Sequence, residues 1–414
     1  MRILLLLLAA AALPALADDD AAALLLADKT ETTAEQAGDW RVYTEAAVRE
    51  SRLRGAGPAR HGTRLSLDAR LDTNFAPGWR AVFADRLDLN RGDGVSSTRD
   101  VNTLKEMYVS WQAQPDRIAD FGRINVRNGV AFGYNPTDYF RAGALRSVVS
   151  LDPASLRENR LGSAMLRGQT LWEGGSLTAL YSPKVAEQPS SASFNPDWGA
   201  TNRRARWLMA YSQKLSDGLS PQWLLSGGEG QSTQVGLNLT ALPNDSTVAF
   251  FEWSGGRAPS LAAQALIRPD DTVFRSRVSS GLTYTTADNI SLTAEYDYNG
   301  AAMGRTDWDA LRRGSPAAYG LYRGFAATVQ DPATRHNLFL YALWQDALVK
   351  RLDVAAMVRH DLIDHSRLQW LEARYHWTHV DFALQTQLNT GAAASNFGAL
   401  TDRRVWQAVA RYFF

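Results

Sequence analysis

Six arginines are concentrated where the sequence has least regularity: Arg123 and Arg127 lead into, and Arg141, Arg146, Arg157 and Arg160 lie within, a stretch running from 128 to 161. Guanidinium groups at that density suit carboxylates and phosphates, which they hold through paired N–H donors. The same stretch carries Asp138, Asp152 and Glu158. Pairwise neutralisation is therefore the competing arrangement, and it would leave a steric gate instead of a charged one. Tyr134, Tyr139 and Phe140 are poorly placed in bulk water, which favours a segment folded against protein over an external lid. Asn135-Pro136-Thr137-Asp138 is turn chemistry in which Thr137 or Asp138 can cap a short helix, and Asp152-Pro153 can start a second one.

No other constellation rises to this level. The six histidines, at 61, 336, 360, 365, 376 and 379, have no spacing that sets two ligands beside a carboxylate on one face. Neither a Gly-x-Ser-x-Gly elbow nor a phosphate-binding glycine loop is present, and no nucleophile and base pair can be assembled. Asp85, Asp88, Asn90 and Asp93 do not follow the spacing of a calcium-binding loop. The expectation is no catalytic residue, no metal and no cofactor.

The elements that must carry the arginines follow from composition and period. The chain has 414 residues with a mean hydropathy of −0.27, too polar for a bundle of membrane helices. Residues 1–17, with Arg2, an apolar run and Ala15-Leu16-Ala17, read as a cleaved signal peptide. Without this leader, basic and acidic residues balance, so nucleic acid is not an expected partner. Residues 18–38 read as a flexible periplasmic lead-in. Cysteine is absent, so disulfides contribute nothing.

From about residue 39 the period is two. Leu65, Leu67, Ala69 and Leu71 alternate with Ser66, Asp68, Arg70 and Asp72, and the same pattern returns across 289–299 and 379–389. About 18 strands (16–18) of roughly 9 to 12 residues follow, the length that crosses a bilayer at a tilt. Those at 78–89, 221–228, 247–254 and 336–346 do not keep their apolar residues to one parity. Short turns alternate with long connections, as in barrels whose ends face the periplasm and the exterior. Strands in hydrocarbon must pair on both edges, so the expected fold is all-β: one closed transmembrane antiparallel β-barrel over 39–414 in the bacterial outer membrane, with the 128–161 loop folded inward. Alternation then projects Arg41, Arg49, Arg64, Arg123, Arg127, Arg204, Arg374 and Arg411 into the lumen against fewer acids, among them Glu45, Asp68, Glu295 and Glu372. A mildly basic lumen is expected, narrowest where Arg123, Arg127, Arg141, Arg146, Arg157, Arg160, Tyr134 and Tyr139 meet. Tyr412 and Phe414 end the last strand on one face, like the assembly signal read by the barrel-assembly machinery.

Gly122 to Gly129, Gly133 to Asp138, Arg160-Leu161-Gly162 and Leu180 to Pro183 resemble a group of large porin-like outer-membrane barrels, including alginate-export-like proteins. The resemblance covers about 60 residues and implies a barrel that moves a polar solute or an exported polysaccharide. The expected function is thus a channel passing a polar, anionic solute, with outer-membrane lipid and lipopolysaccharide around it. The alternatives are an outer-membrane lipid or polymer hydrolase and a structural or adhesive barrel.

Overall fold

A computed structural model describes residues 39–55, 57–93, 100–216 and 218–414. The signal peptide and lead-in expected at 1–17 and 18–38 lie outside the described residues. Eighteen strands form one sheet: β1 (Trp40–Leu53), β2 (Arg60–Ala76), β3 (Trp79–Gly92), β4 (Asp100–Gln114), β5 (Arg117–Ile124), β6 (Ser163–Trp172), β7 (Gly175–Ser182), β8 (Arg206–Gln213) and β9 (Leu219–Gly228). They continue with β10 (Gln231–Asn244), β11 (Thr247–Ala258), β12 (Val273–Thr285), β13 (Ile290–Asn299), β14 (His336–Trp344), β15 (Leu352–Asp361), β16 (Arg367–His376), β17 (Val380–Thr390) and β18 (Asp402–Phe413). Every neighbour is antiparallel, and β1 pairs with both β2 and β18, so the sheet closes and leaves no edge. Closure satisfies the backbone groups that lipid cannot.

Each strand sorts its side chains by face. Val48, Leu65, Leu67, Phe83, Leu384 and Trp406 point outward and are exposed, while Glu45, Asp68, Arg86 and Asp88 face inward and are buried. At the short-turn end, the periplasmic end of such barrels, aromatic side chains form a girdle. Trp79 stacks on Trp111 at 5.7 Å, and Trp172, Tyr211 and Trp223 follow at 5.6–5.7 Å spacings. Tyr412 and Phe414 meet edge-on at 5.2 Å on the same outer face.

The four strands with broken parity all exist, and the reason for their irregularity is now visible. Val82 and Ala84 on β3, Leu224 on β9, Phe250 on β11, and Phe339 and Leu343 on β14 are apolar residues buried on the inner face. Several meet inserted connections, so their strands are covered on both sides and lose the alternation. Inward acids are also more numerous than alternation suggested: Asp88, Glu106, Asp120, Glu252 and Asp381 are all buried.

Wall height varies around the barrel. β1 to β4 have 14 to 17 residues, whereas β5 to β9 have 8 to 10. The long connections that follow this low wall, 125–162 and 183–205, complete it. Among the described residues five helices lie in the connections: α1 (Pro153–Glu158), α2 (Trp198–Thr201), α3 (Leu261–Leu266), α4 (Arg305–Arg313) and α5 (Pro316–Thr328).

Candidate functional site: the inserted loop and the path beside it

The 125–162 connection leaves β5 and crosses to the opposite side of the barrel, where two inward carboxylates receive it. Glu252 on β11 accepts the N–H groups of Val130 (3.0 Å), Ala131 (3.2 Å) and Thr137 (2.7 Å) and the Thr137 hydroxyl (2.9 Å). Glu295 on β13 accepts those of Phe132 (2.8 Å), Gly133 (3.0 Å) and Tyr134 (3.0 Å). Successive backbone N–H groups converging on an anion form a nest, and two nests in tandem fix the loop without a helix or a strand. Gly129 makes the first possible: its φ is +98°, and a Cβ there would lie 2.7 Å from both Glu252 oxygens. Gly133 makes the second, because a Cβ would meet the Phe339 ring at 2.6 Å.

The remainder of the loop is packed as a small core. Phe140 is buried with Ile124, Val126, Met165, Leu180, Leu208 and Leu224, and the Arg206 guanidinium lies 4.3 Å above its ring. Asn135 to Asp138 make a turn and start no helix; Thr137 and Asp138 instead serve the Glu252 nest and Arg160. The second helix forms as the sequence suggested, with Asp152 accepting the Ser155 N–H at the start of α1 (3.0 Å). Burial pushes the Asp152 carboxyl upward against that hydrogen bond. At the far end of α1, Glu158 accepts from Arg41 at 2.6 Å and lies 3.7 Å from Lys105. Burial alone would raise the Glu158 carboxyl, but Lys105, Arg41, Arg127 and Arg411 outweigh it and hold it at about 2.

The arginines expected at a charged constriction have other occupations. Arg123 belongs to the outward row of β5, beside Met107 and Ala164, and is fully buried beneath the 183–205 connection. It stacks on Trp198 at 4.2 Å and donates to the carbonyls of Gly162 (3.0 Å) and Pro196 (2.5 Å). The inward projection is thereby corrected: Ile118, Asp120 and Ile124 form the inner row of β5, and Arg123 shares the outer parity of the exposed Phe121. Arg127 and Arg204 lie beyond the ends of β5 and β8, and Arg127 is exposed. Arg160 pairs with Asp138 at 2.7 Å, both buried. Arg146 donates to the carbonyls of Asn102, Ala192 and Asn195, and Arg157 to those of Asn128, Gly129 and Ala131.

Arg141 and Tyr134 meet a partner that sequence reasoning missed. Asp331, in the connection carrying α4 and α5, accepts from Arg141 and from the Tyr134 hydroxyl (3.2 Å), with Arg277 3.8 Å away. The Gly143 N–H donates to Thr328 at the end of α5 (2.9 Å), and Tyr139 shares a hydrogen bond with Ser254 (2.9 Å). Burial raises the Tyr134 hydroxyl far above its ordinary value and brings that of Tyr139 to about 12, so both act as neutral donors. The helical connection is itself held by a core around Trp308, Leu311, Tyr322 and Ala326. Together these inserted segments fill the sector from β5 to β13.

The opposite sector keeps space. An inner cavity of about 250 Å³ lies between α1 and the strands β1 and β14 to β18, among Tyr43, Asp152, Arg374 and Arg411. An outer cavity of about 330 Å³ lies toward the long connections, among Arg49, Arg60, Arg64, Arg146 and Asp402. Arg64 lines both. Between them the Val149 carbonyl receives Arg64 at 3.4 Å and Gln407 at 3.5 Å, so one loop carbonyl and two wall side chains mark the junction.

No protein-family model and no curated protein sequence matches the chain. Solved structures do. OccAB1 of Acinetobacter baumannii superposes over 92% of this chain and 99% of its own with a TM-score of 0.58 at 9% identity. OccK8 (OprE) of Pseudomonas aeruginosa covers 91% and 98% with a TM-score of 0.53 at 12% identity. The outer membrane protein opdK of Pseudomonas aeruginosa covers 90% and 98% with 0.52 at 7%. The fold is that of a bacterial outer-membrane porin. At such identities the likeness is one of architecture.

Proposed function

We propose that the chain is an outer-membrane channel for small polar solutes, with a preference for anions set at the outer cavity. The observation that carries this reading is the pair of cavities in line on one side of the barrel, joined at Arg64, Val149 and Gln407. The outer one gathers Arg49, Arg60, Arg64, Arg91 and Arg146 against Asp93 and Asp402. In a narrow vestibule with low-dielectric walls such a surplus attracts anions. The inner cavity holds both signs in near balance, so it gives an anion polar contacts on the way through without holding it.

In this reading Arg123, Arg141, Arg157 and Arg160 fix the loops, and the selective charges are those on β1, β2 and β3. A polysaccharide has less support, because a polymer would need the inserted loops to leave. Tyr412 and Phe414, outward on the last strand, suit recognition by the barrel-assembly machinery. The test is the reversal potential of the purified protein in planar bilayers under a salt gradient. Weak anion selectivity is expected, falling when Arg60 and Arg64 are changed to Ser. Cation selectivity in the unaltered protein, or no conductance, would overturn the proposal.

A further inference from the structure

The two channel cavities are divided by a short length of the inserted loop. Ser147 and Val148 line the outer cavity while Val149 and Ser150 line the inner one, so the chain at 147–150 is the partition. The wall changes at the same level. Along β1 the lining passes from Glu45 in the inner cavity to Ala47 in the outer, and along β18 from Val409 to Gln407. Ala383, Val409, Ala47 and Arg64 are successive register partners, one row across β17, β18, β1 and β2. The first three form a small buried apolar cluster between two polar spaces. Such an apolar level resists water and ions until it widens.

The partition is firm at its ends and lightly held in its middle. At one end Arg146 donates to the carbonyls of Asn102, Asn195 and Ala192 at 2.6–2.9 Å. At the other, Asp152 caps α1 (3.0 Å) and accepts from the Tyr341 hydroxyl (3.1 Å). Among the described residues, the backbone of 147–149 makes two hydrogen bonds, both at the Val149 carbonyl, from Arg64 Nη1 (3.4 Å) and Gln407 Nε2 (3.5 Å). Each is at the long limit of a hydrogen bond. Arg64 does not depend on this contact. Its Nη2 donates to Glu45 at 2.6 Å and its Nε to Ser66 at 3.2 Å, so the guanidinium keeps its place when Nη1 changes partner.

We propose that the 147–150 segment is the gate of the channel, with Arg64 and Gln407 as its latch. An anion arriving in the outer cavity takes the Arg64 Nη1–H from the Val149 carbonyl, and the segment moves off the apolar row to join the two cavities. An anionic oxygen is the stronger partner for a guanidinium, so entry of the right charge is coupled to opening. This gate presupposes the channel proposed above and adds a positioning role for Gln407, which acts on solute only through the segment it holds.

Single-channel recording of the mature protein in planar bilayers tests the latch. Gln407→Leu removes one of the two donors at little change in size, and closed intervals should shorten about tenfold. The reversal potential should stay on the anion side, because no charge is lost. Gln407→Lys restores a donor and should return the long closures, which a change of bulk alone would not do. Acetate added to the parent should raise the fraction of time open, and neutral acetamide should not. Closures absent from the parent, closed intervals unaltered in Gln407→Leu, or Leu and Lys variants that behave alike would overturn the latch while leaving an anion-selective channel. Equal responses to acetate and acetamide would overturn the coupling of charge to opening. Cation selectivity or no conductance in the parent would instead overturn the channel reading, and the gate with it.

Discussion

The sector from β5 to β13 and the sector from β16 round to β3 are built of the same alternating strand, yet their inner faces have opposite designs. In the first, apolar side chains such as Met165, Leu208 and Leu224 face a protein core, and lone carboxylates, Glu252 and Glu295, take backbone N–H groups from the loop. In the second, charges satisfy one another across strands. Glu45 receives Arg64 (2.6 Å), Arg86 (2.9 Å) and Arg411 (3.1 Å), and Lys105 lies 2.7 Å from Asp68. The comparison teaches that a carboxylate without a cross-strand cation marks where a wall expects an inserted segment. Paired charges mark a wall whose inner face is satisfied within the sheet itself.

If that distinction is right, the largest effect should come from the filled sector. Glu252→Ala strands four donors and should loosen 130–137 by about 3 kcal/mol, seen as amide exchange about a hundredfold faster there. Conductance should rise as the loop leaves its seat. Unchanged exchange would mean that packing around Phe140 alone holds the loop. A smaller effect is expected from Asp331→Asn, which weakens the Arg141 pair but keeps the Tyr134 contact. Exchange at 141–144 should quicken by about tenfold, and channel noise should increase while the mean conductance changes little.

The comparison is sharpened by pH at a charged anchor that crosses between sectors. The Glu158 carboxyl titrates at about 2 in the folded loop against 4.5 ordinarily. A depressed carboxylate contributes stability that is complete above 4.5 and is lost as pH falls toward 2. Exchange at 153–159 should therefore be flat from pH 7 to about 4.5, after correction for intrinsic rates, and accelerate below it. Glu158→Gln should remove that dependence, and a Glu158→Gln protein that keeps it would assign the anchor to another group.

Much of this was legible in the sequence. Strand number, closure and the sorting of short from long connections follow from period and spacing, since lipid on one side and polar groups on the other enforce alternation. Alternation failed where both faces are apolar, at Leu224, Phe250 and Phe339, and that failure itself marked strands lying under inserted protein. Glu252, set in Val248-Ala249-Phe250-Phe251-Glu252-Trp253, was the available clue to the loop's seat, but its strand was among those with broken parity. The roles of Arg123 and Arg141 were not readable, because their partners lie 73 and 190 residues away in connections that carry no period.

The central claim is that solute passes only along the β16 to β3 side. The chain has no cysteine, so single cysteines can report the path without background. Gln407→Cys and Leu224→Cys face the lumen from the open and the filled sectors. Treatment with an anionic methanethiosulfonate during single-channel recording should block current through Gln407→Cys and leave Leu224→Cys unaffected. Block at Leu224→Cys, or an unaffected Gln407→Cys channel, would place the path on the other side and contradict the account.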